Sequence, residues 1–95
     1  MEQREAEQMD KTELRQQVRA IVAQHARLPA GIEVVGDDDD LYDAGMGSHA
    51  AVSIMISLEG AFDVEFPDAL LNKATFRSIS SICAAVTGLL GSRTG

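Results

Sequence analysis

The segment LYDAGMGSHAAVSIMISLEGAF, residues 41–62, contains the clearest secondary-structure signal of the chain. From Ser48 onward it contains no Pro, and no Gly before Gly60, so nothing interrupts a helix there. Apolar residues recur at helical spacing along it, at Val52, Met55, Leu58 and Phe62. The glycine-containing turn at 45–47 precedes this pattern. The sequence therefore predicts a central amphipathic helix that begins at Ser48.

A first helix is predicted upstream of the central one. Asp10 and Glu13 are spaced like a capping box, and Pro29 and Gly31 stop the pattern after Arg27. Its apolar residues recur at helical spacing: Leu14, Val18, Ile21 and Val22. This pattern indicates a helix packed on the core through one face.

Two helices are predicted downstream. Pro67 breaks the chain after Phe66 and suits the first turn of a short third helix around Asp68 to Lys73. Thr75 is the predicted cap of a fourth helix that frays at Gly88 and Gly91. The apolar stripe of this fourth helix is Ile79, Ile82, Cys83, Val86, Leu89 and Leu90.

A long loop, residues 28–47, connects the first two helices. It contains the run of four acids from Asp37 to Asp40. Its apolar residues are expected to pin it to the core: Ile32, Val34, Val35, Leu41 and Met46. The expected architecture is all-α, a four-helix bundle of three main helices and one short helix with a long first loop. We expect a flexible tail at 1–9, one domain at 10–91 and a C-terminal tail at 92–95.

Length and charge narrow the possible functions. A chain of 95 residues has room for one modest core and little space for a buried multi-residue active site, so we expect no enzyme. The net charge is -7, and between residues 28 and 72 there are ten Asp or Glu and no Lys or Arg. Such a surface repels nucleic acids and anionic membranes and favours basic protein patches. The first nine residues contain no apolar core of a signal peptide, and no uncharged apolar run is long enough to span a membrane. We therefore expect a cytoplasmic monomer.

Ser48 is the candidate functional residue. As the first residue of a helix it lies where backbone N–H groups lack helical partners and the helix dipole is positive, an environment that favours a phosphate ester. A serine at this position is more often an ordinary helix cap. The position alone leaves both interpretations open.

A family resemblance favours the functional interpretation. Three parts of the chain carry it in order: the run Leu41-Tyr42-Asp43-Ala44-Gly45-Met46-Gly47-Ser48-His49, the segment from Leu58 through Phe62 to Phe66-Pro67, and Thr75-Phe76. Together they resemble the acyl carrier protein and peptidyl carrier protein family over roughly residues 12 to 90. The resemblance implies that a phosphopantetheinyl transferase attaches 4'-phosphopantetheine from coenzyme A to Ser48. The arm's thiol would then carry an acyl or aminoacyl group as a thioester to partner enzymes.

The chain departs from the family pattern beside the serine. Gly47 stands where the family usually has Asp, and His49 stands where it usually has Leu. The outward face of the central helix is small and weakly polar, with Glu59 as its only acid. These features favour a specialised carrier, loaded by a dedicated acyl or aminoacyl ligase and serving a downstream acceptor enzyme, over a fatty-acid carrier. Predicted partner contacts are Met46, Gly47, His49, Val52, Ser53, Ile56, Ser57, Gly60 and Phe76.

Other functional classes have weaker support. Cys83 is the only cysteine, which excludes an intrachain disulfide, and the two His residues have no spacing typical of a zinc site with it. No metal site is expected. The main alternative is an unmodified helical adaptor with a carrier-like fold, and Gly47 is the feature that keeps it open.

Overall fold

The computed structural model describes residues 11–94, which form three α-helices and two single-turn 3-10 helices, with no β-strand in that range. Helix α1 is Lys11–Ala26, α2 is Ser48–Phe62 and α3 is Ile79–Thr94. The 3-10 turns are Ile32–Val34 and Asp68–Leu70. The predicted all-α bundle with a long first loop is therefore confirmed. The capping role of Asp10 and the tail at 1–9 lie outside the described residues.

Helix α1 packs against both other helices, and its buried side chains follow the predicted stripe: Leu14, Val18, Val22 and Ala26. It ends where predicted. Arg27 turns the chain with a left-handed φ of 53°, and Pro29 follows two residues later. A left-handed residue directly after a helix is a common way to end it.

The loop between α1 and α2 is held by its own apolar residues and by backbone bonds. Val35, Leu41 and Met46 are buried in the core. Val34, also predicted to point inward, is 66% exposed. The 3-10 turn explains this difference, because residues three apart share a face there, so Ile32 and Val35 face the core together and Val34 points away.

Helix α2 has the predicted limits but a slightly different buried face. Its buried residues are Ala50, Ala51, Ile54, Leu58 and Phe62. Val52, predicted as part of the apolar stripe, is 54% exposed. Asp63, with a left-handed φ of 56°, ends the helix.

The start of α3 corrects the sequence prediction. The helix begins at Ile79, four residues after Thr75. Ser78 and Ser81 cap it reciprocally: each backbone N–H donates to the other hydroxyl at 3.0 Å. Thr75 is buried instead, and its N–H donates to Asn72 Oδ1. Asparagine side chains compete with helix backbone bonds in this way, which also explains why the third helix is one turn only.

Helix α3 continues through Gly88 and Gly91 to Thr94, so these glycines do not end it and part of the predicted C-terminal tail is helical. Its fully buried residues are Ile79, Ile82 and Val86, while Cys83 is half-buried at the edge of the core. Each fully buried aliphatic side chain contributes about 1.5–3 kcal/mol to folding. The core therefore lies between the three helices, and the start of α2 remains at the surface.

Candidate functional site

Ser48 is the first residue of α2, and its side chain is exposed. The residue that caps the helix is Gly47, in extended conformation with φ −83° and ψ 162°, and no side chain completes the cap. Within residues 11–91, no side chain or backbone group hydrogen-bonds to the Ser48 hydroxyl. The interpretation of Ser48 as an ordinary capping serine is therefore wrong, and its oxygen is free to react.

The turn before Ser48 is held by a backbone hydrogen bond and by a buried side chain. The Met46 N–H donates to Leu41 O at 3.0 Å, and the Met46 side chain is buried. Gly45 has a φ of 118°, which disfavours any other residue, and a Cβ there would lie 2.8 Å from Pro29 Cδ. The buried Met46 side chain thus attaches the turn to the core, and Gly45 allows the backbone of the turn to pass close to Pro29. The chain emerges at Gly47 with Ser48 facing solvent.

The two departures from the family pattern lie against each other. A Cβ added to Gly47 would lie 3.4 Å from His49 Cε1 and 3.6 Å from His49 Nδ1. The imidazole therefore turns back over residue 47. Neither residue carries a negative charge, so the immediate surroundings of Ser48 are not acidic although the chain as a whole is.

A groove of about 450 Å³ opens beside Ser48, between α2 and the segment that follows the second 3-10 turn. Val52, Met55 and Leu71 supply apolar wall, and Lys73 supplies a cation. The Lys73 ammonium lies 4.9 Å from the centre of the Tyr42 ring, a cation–π contact. Burial raises the pKa of Tyr42, and the nearby Asp40 carboxylate raises it further, so the phenol stays neutral. Sequence reasoning missed this groove, because segments remote in sequence form it and no local pattern marks Tyr42, Leu71 or Lys73.

The outward face of α2 presents an exposed stripe of His49, Val52, Ile56 and Gly60. Val52 and Ile56 are 54% and 59% exposed, which is unusual for large aliphatic side chains. Ser53 and Ser57 are half-buried to one side of this stripe. Ser57 Oγ lies 2.8 Å from His25 Nε2, so this edge of α2 is tied to the end of α1.

Two of the residues predicted to contact partners are core residues. Met46 and Phe76 are both buried, and Phe76 packs its ring against Phe66 with centroids 5.7 Å apart. Their side chains stabilise the surroundings of Ser48 and are not available on the exposed face. Gly47, His49, Val52, Ile56 and Gly60 are exposed as the prediction requires.

The site fits a phosphopantetheine arm on three independent grounds. The hydroxyl is exposed and free of hydrogen bonds, the start of a helix favours a phosphodiester, and the adjacent groove offers apolar wall together with the Lys73 ammonium. Among residues 11–91, no group of three or more His, Cys, Asp or Glu side chains is arranged to hold a metal ion. No described helix has both the length and the apolar character that crossing a bilayer requires.

Comparison with known proteins agrees with this geometry. The family model described as a phosphopantetheine attachment site matches residues 16–86. The aminoacyl carrier protein of Agrobacterium fabrum (strain C58 / ATCC 33970) is 46% identical over 65 residues, which cover 68% of this chain and 78% of that protein.

Two solved structures have the same fold. One is the crystal structure of engineered Bradyrhizobium japonicum glycine:[carrier protein] ligase complexed with a carrier protein from Agrobacterium tumefaciens and AMP. The match has a TM-score of 0.74 and 42% sequence identity, and it covers 77% of this chain and 97% of the matched chain. The other is a solution structure from Agrobacterium tumefaciens, with a TM-score of 0.68 and 40% identity over 84% of this chain and 96% of that one. The family match spans most of the chain and includes both Ser48 and the groove, so the chain belongs to the phosphopantetheine-attachment family of carrier proteins.

Proposed function

We propose that this chain is an aminoacyl carrier protein whose phosphopantetheine arm is attached through Ser48 Oγ. The observation that carries the proposal is the free, exposed hydroxyl at the first residue of α2. When attached, the arm supplies a terminal thiol that holds the cargo as a thioester. The protein itself positions the arm and is the part that partner enzymes bind, and no catalytic group is required of it.

The residues around Ser48 have separate roles in this proposal. The backbone N–H groups in the first turn of α2 stabilise the negative charge of the phosphodiester. Lys73 adds a positive charge in the same groove, and Val52, Met55 and Leu71 give the arm an apolar surface to lie against. Gly47 leaves the serine uncovered for the transferase.

The cargo is proposed to be an amino acid on the basis of two similar proteins. The similar Agrobacterium fabrum protein is an aminoacyl carrier protein, and the similar Agrobacterium tumefaciens carrier protein is complexed with a glycine:[carrier protein] ligase. The helix face bears on the docking partner: the first turn of α2 has no acidic residue, so this face offers no long-range attraction for a strongly basic partner. The exposed stripe of His49, Val52, Ile56 and Gly60 instead suits a ligase or acceptor enzyme that docks by close contact.

Arm attachment is tested by incubating the protein with coenzyme A and a broad-specificity phosphopantetheinyl transferase, then measuring the intact mass. We expect an increase of one phosphopantetheinyl group in the wild type and none in Ser48→Ala. Ser80→Ala is the matched control, because Ser80 is also an exposed serine in the first turn of a helix, and it should gain the arm normally. If the wild type gains no mass with several transferases, the chain is an unmodified adaptor.

Cargo class is tested on the arm-bearing protein. The Bradyrhizobium japonicum glycine:[carrier protein] ligase, ATP and a panel of amino acids are added, and thioester formation is followed by intact mass. We expect loading of a small amino acid, and no loading in Ser48→Ala. Efficient charging with fatty acids by an acyl ligase, without any aminoacyl product, would contradict the aminoacyl assignment and leave the carrier assignment intact.

A further inference from the structure

The acidic charge of this protein is concentrated on the loop before Ser48 and is nearly absent from α2. Between Ser48 and Phe62 the only acid is Glu59, and its carboxylate accepts the Phe66 N–H at 2.9 Å. The loop contains Glu33, the run from Asp37 to Asp40, and Asp43. The negative charge that could attract a basic partner near Ser48 therefore lies mainly on the loop.

Two of the loop acids are already neutralised within the protein. Asp37 pairs with Arg19 at 2.8 Å and with Arg15 at 3.4 Å, and Asp40 lies 3.8 Å from Arg77 Nε. Asp39 and Asp43 differ from them. Both are exposed, and neither has a Lys, Arg or His partner within residues 11–91. Their negative charges face solvent uncompensated.

These two carboxylates, together with the paired Asp40, line a partly apolar groove. The groove has a volume of about 400 Å³, and Leu28, Val34 and Ala44 form much of its apolar lining. Val34 is the most exposed of the large hydrophobic residues in the described part of the chain, at 66%. An apolar floor with an acidic rim complements one kind of side chain especially well, a long aliphatic stem that ends in a positive charge.

We propose that the ligase that loads the arm docks an arginine side chain in this groove, with its stem on Leu28 and Val34 and its guanidinium at Asp39 and Asp43. The volume of about 400 Å³ leaves room for one long side chain. Arginine fits better than lysine because its planar fork reaches two carboxylates at once. The inference rests on the proposed function, since it names the contact that orients the loading enzyme.

The position of the groove supports this role. Ala44 lines it, and Ser48 follows four residues later through a turn fixed by Gly45 and buried Met46. A partner held in the groove is thereby held at a fixed distance from the attachment site. The same partner would also contact the exposed stripe of α2, so that it is held by charge at the loop and by apolar contact at the helix.

The test compares loading rates of arm-bearing variants with the Bradyrhizobium japonicum ligase and glycine as probes. The key variant is Asp39→Asn combined with Asp43→Asn, because the amide that replaces the Asp39 carboxylate keeps an oxygen that can accept the Gly36 N–H and so preserves the turn. The matched control is Glu65→Gln combined with Asp68→Asn, which removes the same charge from exposed residues outside the groove. Val34→Ser tests the apolar floor, and Asp43→Glu tests rescue by a conserved charge.

We expect the double variant at Asp39 and Asp43 to lower kcat/KM by roughly 5- to 20-fold at low salt, mostly through KM, and to flatten the salt dependence. Val34→Ser should lower it by roughly 3-fold, and Asp43→Glu and the control pair should stay within about 2-fold of wild type. If the double variant at Asp39 and Asp43 behaves like the control pair, the groove inference is wrong and the proposed function stands. If the wild type accepts no arm or no amino acid, the proposed function fails and the inference fails with it.

Discussion

Arg19 is the side chain that fixes the long loop to α1, and its removal gives the sharpest test of how the site is positioned. Its guanidinium donates to Asp37 Oδ1 through Nε at 3.1 Å and through one terminal nitrogen at 2.8 Å. It also donates to Ile32 O at 3.2 Å and to Val35 O at 2.6 Å. One side chain thus satisfies two backbone carbonyls and one carboxylate of the loop. We predict that Arg19→Gln destabilises the fold and loosens the loop.

The magnitude follows from the exposure of the two partners. Hydrogen bonds to charged groups contribute about 1.5–3 kcal/mol when well buried, and much less at the surface. The Arg19 and Asp37 side chains are 26% and 35% exposed, so part of this energy is lost to solvent screening. We expect a loss of about 2 kcal/mol in the free energy of unfolding for the whole set of contacts. For a domain of this size, that lowers Tm by roughly 8–16 °C.

Arg15→Gln is the matched control because it removes the same charge from the same helix. Arg15 has one contact with Asp37, at 3.4 Å, and its side chain is 43% exposed. Exposed ion pairs contribute about 0–1 kcal/mol, so Arg15→Gln should cost less than half as much as Arg19→Gln. Arg19→Lys should recover little of the loss, because an ammonium cannot reproduce the fork that spans two carbonyls and a carboxylate.

Urea denaturation followed by circular dichroism measures the stability, and hydrogen exchange measures the loop directly. The Ser80 N–H donates to Asp37 O at 2.9 Å, so its exchange should accelerate in Arg19→Gln and stay near wild type in Arg15→Gln. Equal losses of stability in the two Gln variants would contradict the role given to Arg19. They would mean that general charge, and not the specific fork, stabilises the loop.

Three further predictions concern single residues. Gly45→Ala should destabilise the fold by about 1–3 kcal/mol, because Gly45 has a φ of 118° and an added Cβ would lie 2.8 Å from Pro29 Cδ. Gly60→Ala should stabilise it by about 0.5–1 kcal/mol, because Gly60 lies in a helix and nothing lies within 4 Å of the new Cβ. Urea midpoints of the two variants that shift in the same direction would contradict this. Arg27→Gly should stabilise by up to about 1 kcal/mol by relieving a left-handed φ of 53°, and Arg27→Ala should not; a loss of stability in both would show that the charge matters more than the backbone. Burial raises the pKa of Cys83, so its thiolate fraction at about pH 8 is lower than that of a free thiol. Iodoacetamide should therefore modify Cys83 slowly, with a rate that keeps rising above about pH 9. Reaction at the rate of free cysteine at about pH 8 would contradict this.

The sequence was sufficient for α2 because every signal for that helix is local. A glycine turn precedes Ser48, the apolar residues keep helical spacing, and no strong breaker lies between Ser48 and Phe62, so the helix has the predicted limits. The predicted start of α3 at Thr75 was wrong because tertiary packing, and not the local sequence, determines which residue caps this helix. Thr75 is buried and tied to Asn72, whereas Ser78 has a reciprocal partner three residues later in Ser81. No local pattern encodes that burial.

The direction in which individual side chains point was harder to predict than the positions of the helices. Val34 was expected inside, and Val52 was placed both on the apolar stripe of α2 and among the partner contacts. Each is more than half exposed. The period of a short 3-10 turn differs from that of the flanking structure, which reverses the direction of Val34. On α2, small alanines at 50 and 51 take the buried positions nearest Ser48, which turns Val52 outward. Both exposed valines border grooves near the site, so the errors of the sequence prediction fall where a partner protein would bind.

The pair Gly47 and His49 shows why a motif departure has to be interpreted in three dimensions. In the sequence they are two independent substitutions, one on each side of Ser48. In the structure the His49 ring occupies the space beside residue 47, so an aspartate there would meet the imidazole directly. Replacing the family's carboxylate by glycine removes a negative charge from the position closest to the proposed phosphodiester. In a chain with a net charge of -7, that change makes the start of α2 a better place for an added anion, and it leaves the charge that a partner can recognise on the neighbouring loop.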